Sequence, residues 1–351
     1  MKKLATLLFL LLPFLLSAQP MMEHKPVKLS RWGIGTGQFS GIAPLGNDLY
    51  AVVSDKEPTD GFFTFRIKQN ETTGKVEEMS LEGFAGNPHP SLDRYGCSTR
   101  DTEGIAYFPS ANSVFISGEG DQRILEYAIN GQPTGRELRI PSIFNTSNII
   151  GNYGFEALTY CNETQRFWTI TESTLKSDGV AAGPSHPDTR NVLRLQSFDN
   201  DLLPTAQYAY KMDGSRKEKF GLYYCCGVPA ITALPDGRLL VLERELNIPK
   251  QFIGAKVECK IFIVQPNESW QIDSSVQLST LDPNLYLQKE LVAHFTTRLN
   301  LIKNNFANYE GMCLGRKLLD GRQTILLLND SQASSGKGPI RVHDFIKVLV
   351  F

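Results

Sequence analysis

One short phrase recurs five times along this chain and limits the folds open to it. The phrase occurs as "FSGIAPLGNDLYAVVSDK" (39–56), "DTEGIAYFPSANSVFISGEGD" (101–121), "GFEALTYCNETQRFWTITES" (154–173), "VPAITALPDGRLLVLERE" (228–245) and "YEGMCLGRKLLDGRQTILLLND" (309–330). Each copy reads as an apolar strand, a turn rich in Gly, Asn, Asp or Pro, and a second apolar strand. Turns such as "PDGR" at 235 and "LDGR" at 319 supply the backbone freedom a tight hairpin needs. A further strand-like run follows each copy: "GFFTFRI", "RILEYAI", "NVLRLQSF", "CKIFIVQ" and "IRVHDFIKVLVF".

Antiparallel repeats of this size predict an all-β β-propeller, with four-stranded antiparallel blades around a central channel. Five blades are visible. The interval 246–307 is long enough to hold a sixth of weaker pattern, and "VKLSRW" (27–32) is a candidate to complete the last blade and hide its edge. A β-sandwich is the alternative, but it would not require a repeated phrase.

The chain opens "MKKLATLLFLLLPFLLSAQP". Two lysines, an apolar run and a small-residue pair have the layout of a secretory signal peptide over residues 1–18, shorter than the roughly 20 residues of a membrane span. Residues 19–351 then form a single propeller domain, expected to be secreted or periplasmic with no membrane span. With 36 basic and 37 acidic residues, the chain has no global field to attract nucleic acid. Its six cysteines, Cys97, Cys161, Cys225, Cys226, Cys259 and Cys313, permit disulfides in such a compartment. Their spacing fixes no connectivity, and none of it suits a zinc knuckle.

Aligning the five phrases places Ser40, Glu103, Glu156, Pro229 and Glu310 at one first-strand position. Asp55, Glu119, Glu172, Glu243 and Asp330 fall near the end of the second strand. In a hairpin these two positions share one edge, so the acids are expected to converge on one mouth of the channel. Such a ring repels itself unless pKa values rise, basic partners approach or a cation binds. An all-oxygen donor set favours Ca²⁺. Glu103, Glu156 and Glu310 are the candidate catalytic acids, and Asp55, Glu119, Glu172, Glu243 and Asp330 the candidate metal ligands. Among the nearby basic residues, Lys56 included, Arg123, Lys176, Arg190 and Arg244 are candidates to bind an anionic or ester small molecule. The competing role for each acid is to accept backbone N–H bonds that lock neighbouring blades together.

Taken in order from about residue 30 to the end, the motifs "SGIA…VVSDK", "DTEGIAYFPSANSVFISGEGD", "GFEALTY…ITESTLKSDG", "GVPAITALPDGRLLVLERE" and "NYEGMC…LLLND" resemble the phytase-like family, described as "esterase-like activity of phytase". The resemblance implies a β-propeller, a secreted or periplasmic bacterial protein, and hydrolysis of ester or phosphoester bonds. It carries over the acidic positions as motif matches without assigning them roles. The clustered metal-binding motifs of the calcium-dependent propeller phytases are not visible in this chain. A non-catalytic binding propeller and a propeller lactonase are the alternative functions.

Other motifs weigh less. "GIGTGQ" (33–38) lacks the glycine spacing of a dinucleotide loop, and "ASSGKGP" (333–339) lacks the remainder of a P-loop. No G-x-S-x-G elbow is present. His89 and His186 lie in long polar segments that adjoin acid positions, while Arg190 and Arg194 read as flanking a strand rather than clamping a phosphate.

Overall fold

The computed structural model describes residues 20–55, 57, 59–96, 98–214, 220–299, 305–332, 336 and 341–351. The segment read as a signal peptide, Lys56, Cys97 and most of "ASSGKGP" lie outside the described residues. Each repeated phrase forms the two inner strands of a blade. The second strands, Leu49–Ser54, Ser113–Gly118, Arg166–Thr171, Leu239–Ile248 and Gln323–Asp330, are almost continuously buried over their apolar runs, because each of their faces packs on a different neighbour.

Five antiparallel blades result. Blade 1 comprises Phe39–Gly46, Leu49–Ser54, Gly61–Gln69 and Val76–Gly86; blade 2 comprises Thr102–Phe108, Ser113–Gly118, Arg123–Ala128 and Pro133–Glu137. Blade 3 comprises Phe155–Cys161, Arg166–Thr171, Val192–Phe198 and Pro204–Lys211, and blade 4 Tyr223–Ala233, Leu239–Ile248, Lys256–Val264 and Lys289–Arg298. Blade 5 comprises Asn308–Lys317, Gln323–Asp330 and Phe345–Val350, and is finished by Met22–Glu23. The core lies between the blades. Phe115 and Phe167 join blades 2 and 3, Leu240 and Leu327 join blades 4 and 5, and Val52 and Leu328 close the ring between blades 1 and 5.

The turns follow the sequence closely. In "PDGR" and "LDGR", Gly237 and Gly321 take φ of 87° and 91°, and Asp236 and Asp320 each accept the backbone N–H two residues on at 3.1 Å. Two expectations need correction. The interval 246–307 forms no sixth blade among the described residues. It completes blade 4, and an excursion within it lays Gln271–Ile272 along the outer edge of blade 3. Ring closure begins earlier than "VKLSRW": Met22 and Glu23 pair with Val350 and Leu349, and Val27 and Lys28 with Ile346 and Phe345. Leu29–Trp32 is instead a 3₁₀ turn ended by Gly33 at φ 72°.

Glycine after the first-strand position lets neighbouring inner strands approach closely. A Cβ on Gly41 would lie 2.4 Å from the Glu103 carbonyl oxygen, and one on Gly104 2.6 Å from that of Glu156. Gly104→Val is therefore expected to lower stability by about 1–3 kcal/mol through overpacking against rigid backbone. Gly83→Ala, with nothing within 4 Å of the new methyl, should leave the urea midpoint nearly unchanged.

Candidate functional site

The same irregularity interrupts all five innermost strands where the acids begin. Phe155 pairs with Thr171 but Ala157 with Ile170, leaving Glu156 without a facing partner. Ser40 and Glu310 are skipped in the same way, and Glu103–Gly104 and Val228–Pro229 each span a similar bulge. A bulge re-aims the side chain it carries. It turns Glu156 and Glu310 into the channel, which there narrows to a cavity of about 10 Å³. The sequence signal for it is the dipeptide at this point, Ser-Gly, Glu-Gly, Glu-Ala, Pro-Ala and Glu-Gly: a small residue that tolerates close approach, and a Pro that has no N–H to lose.

Carboxylates accumulate at this mouth. Oxygens of Glu103, Glu119 and Glu156 lie within 4.8 Å of one another, as do those of Asp55, Asp101 and Glu103. Asp101, at φ 51°, was not among the expected ligands; its signal was its place two residues before Glu103. Burial, then the charges of Asp55, Glu119, Glu310 and Asp101, hold the Glu103 carboxyl well above the usual range. Burial, then Glu103, Glu172, Glu119 and Glu310, do the same to Glu156. Burial raises Glu310, Arg244 pulls it back, and it titrates at about 7. Asp330, raised by burial and by Glu310, reaches about 9 and accepts the Gln332 N–H at 2.6 Å.

Arg244 is the one basic candidate found among these acids in the described residues. It is 5% exposed, donates to Glu172 and Glu310, and reaches Asn308 Oδ1 at 3.1 Å. The other three lie elsewhere. Arg123 pairs with Glu137 on the outer part of blade 2, Lys176 donates to the Ser147 carbonyl at 2.8 Å, and Arg190 is exposed beside Gly214. Glu243 points away from the mouth, accepting from Tyr210 Oη at 2.6 Å and Asp213 N at 3.0 Å and pairing with Lys289. Adjacent strand residues face opposite sides, so Arg244 takes the channel face in its place. Glu119 also locks blades, accepting the Gly154 N–H at 2.7 Å. Arg194 is buried in a two-bond pair with Asp178, as a structural residue should be. His89 and His186 are exposed, and Cys161, Cys225, Cys226, Cys259 and Cys313 are free thiols.

The far ends of the inner strands open instead on an apolar cavity of about 180 Å³ lined by Ile42, Pro44, Tyr107, Tyr160 and Met312. At the opposite mouth, long connections such as 87–101, 138–154 and 172–191 adjoin the acid-bearing ends of the inner strands. All-carboxylate triads on a narrow channel define a propeller with a buried acidic cluster that could hold a metal ion. The family model described as "Phytase-like: Esterase-like activity of phytase" matches residues 34–332, and the chain belongs to that family. No curated protein matches the chain. Among solved structures it is similar to an endo-arabinase from Bacteroides thetaiotaomicron, with 12% identity, 91% of this chain and 95% of that chain covered, and a TM-score of 0.44. It is also similar to the PQQ-bound aldose sugar dehydrogenase of Streptomyces coelicolor, with 13% identity, 95% and 100% covered, and a TM-score of 0.41. Among the described residues no helix is long and apolar enough to cross a membrane.

The raised carboxyls give the site a pH signature. Glu310 and Asp330 rise from 4.5 and 3.8 to about 7 and about 9, so between those limits the folded chain binds more protons than the unfolded chain. Stability then falls as pH rises through that window. In chelator, the melting temperature should drop steadily from pH 5 to pH 9. Excess Ca²⁺ should flatten the profile at its alkaline end, as followed by differential scanning calorimetry.

Proposed function

We propose that this protein hydrolyses an ester or phosphoester bond of a small anionic substrate at the acidic mouth, with a bound divalent cation. The observation that carries the reading is the pair of all-carboxylate triads sharing Glu103. Their oxygen donors suit Ca²⁺, with its six to eight irregular ligands, better than softer metals. The raised carboxyls of Glu103 and Glu156 agree, because a cation is what allows both to ionise together. Asp55, Asp101, Glu103, Glu119 and Glu156 would hold the ion, which would polarise the oxygen of the bond to be broken.

Glu310 is the proton acceptor. Its carboxyl titrates at about 7, near the optimum for a general base, and Asn308 Nδ2 orients it at 2.7 Å. Arg244 donates to the same carboxylate and favours its charged form. The family description supports ester chemistry. The leader-like residues 1–18 support a secreted or periplasmic setting, where Ca²⁺ at the millimolar level fills even weak sites.

The test is chelator-stripped protein assayed on p-nitrophenyl phosphate, bis(p-nitrophenyl) phosphate and p-nitrophenyl carboxylate esters, with and without Ca²⁺. Activity should return with the ion. Glu103→Gln and Glu156→Gln should each lose both Ca²⁺ binding and turnover. Glu310→Gln should keep the ion but lose about 10²–10⁴ in kcat, together with the pH limb near 7. Stable Ca²⁺ binding without hydrolysis of any ester would make the ring a structural or ligand-binding device.

A further inference from the structure

Blade 4 breaks the acidic pattern at both of its positions. Where three other blades carry Glu103, Glu156 and Glu310 it has Pro229, and where the others end their second strands on Asp55, Glu119, Glu172 and Asp330 it turns Arg244 inward. The guanidinium spans the gap this leaves. One nitrogen donates to Glu310 and, at 3.1 Å, to Asn308 Oδ1, both on blade 5. The other donates to Glu172, at the end of the second strand of blade 3, and lies 3.5 Å from Cys225 Sγ. Each carboxylate has an independent second donor: Cys225 Sγ lies 3.2 Å from Glu172 Oε1, and Asn308 Nδ2 2.7 Å from Glu310 Oε1. Among the described residues neither Glu172 nor Glu310 belongs to a converging triad; the two found draw on Asp55, Asp101, Glu103, Glu119 and Glu156, from blades 1–3 and the turn entering blade 2.

We infer that Arg244 is a resident cation, a positioning residue that takes Glu172 and Glu310 as its own counter-ions and so confines the exchangeable metal to the Glu103 side of the mouth. The inference rests on the metal reading given above. A planar fork matched to carboxylates holds two of them in fixed directions and, unlike a metal, has no coordination position open to substrate. The ring is thereby divided into a half whose two carboxylates share one guanidinium from within the chain and a half that must take its positive charge from solution. Removing the guanidinium would leave two carboxylates facing each other across blade 4, the arrangement that recruits an ion.

The experiment counts Ca²⁺ per chain in chelator-stripped full-length protein by calorimetric titration and by atomic emission after dialysis. It compares wild type with Arg244→Met and Arg244→Lys, with circular dichroism as the check on folding. Arg244→Met is expected to bind one Ca²⁺ more than wild type, and Arg244→Lys the wild-type number. Tighter binding alone would follow from losing any nearby positive charge, so the count is the decisive readout. A folded Arg244→Met with the wild-type count overturns the inference and leaves the metal reading intact. If wild type binds no Ca²⁺ the metal reading fails, and the inference that rests on it falls with it. Should Arg244→Met not fold, the double variant Glu172→Gln, Glu310→Gln decides: an unchanged count supports the division of the ring, and a lost ion overturns it.

Discussion

Mutual repulsion among carboxylates in a channel too narrow for bulk water is the constraint from which much of this structure follows. Burial removes the solvent that would screen them, so each acid raises its neighbours' pKa values. Among the described residues Arg244 is an internal answer, and the triads around Glu103 are acidic clusters that could hold a metal ion. Paired buried charges are seldom a net gain in stability over apolar packing. Stability resides instead in the apolar seams between blades, where side chains such as Phe115, Phe167, Val52 and Leu328 interlock. The ring of acids is a charge those seams must bear, and that separation of duties is expected of a functional site.

Much of the fold was legible in the sequence because a propeller writes its plan in repeats. Hairpins with Asp-Gly turns, strands buried on both faces and acids spaced alike in successive copies all follow from local rules. What escaped has a physical cause in each case. Strand periodicity is two, so an offset of one residue exchanges faces. Leu242 pairs with Ala230 as Ile170 does with Ala157, so the residue two further on, Arg244, stands where Glu172 does and takes the channel position, while Glu243, one residue off in the alignment of the phrases, turns to Lys289. Arg123, Lys176 and Arg190 follow the ends of second strands or loops, where residue spacing says little about direction. The excursion at 265–288 resembled extra blade material because its content was read without the edge it covers. Asp101 lay outside the aligned strand positions, although it stands two residues from one of them.

The acids themselves show how one motif serves two purposes. Glu119 both accepts the Gly154 N–H and joins the triad with Glu103 and Glu156, so interblade locking and a place in the acidic cluster are not exclusive. Glu243 has kept only the first role, with Tyr210, Asp213 and Lys289 around it. Family membership specifies the frame on which these differences are drawn, and the chemistry belongs to the particular side chains that the bulges turn inward.

The final seam bears on the order in which the molecule can be made. Glu23 holds Lys347 across 324 residues of sequence at 2.8 Å, and the strand pairing beside it ends at Val350. Contacts of such separation are slow to form, since the entropy of closing the loop is lost before any contact is gained. The circle cannot be complete until the ribosome has released the strand that ends at Val350. Residues 55–156, which carry both triads, are synthesised long before that point, whereas the Arg244–Glu310 bridge needs blades 4 and 5. One half of the mouth can thus take shape on a nascent chain while the other waits for blade 5.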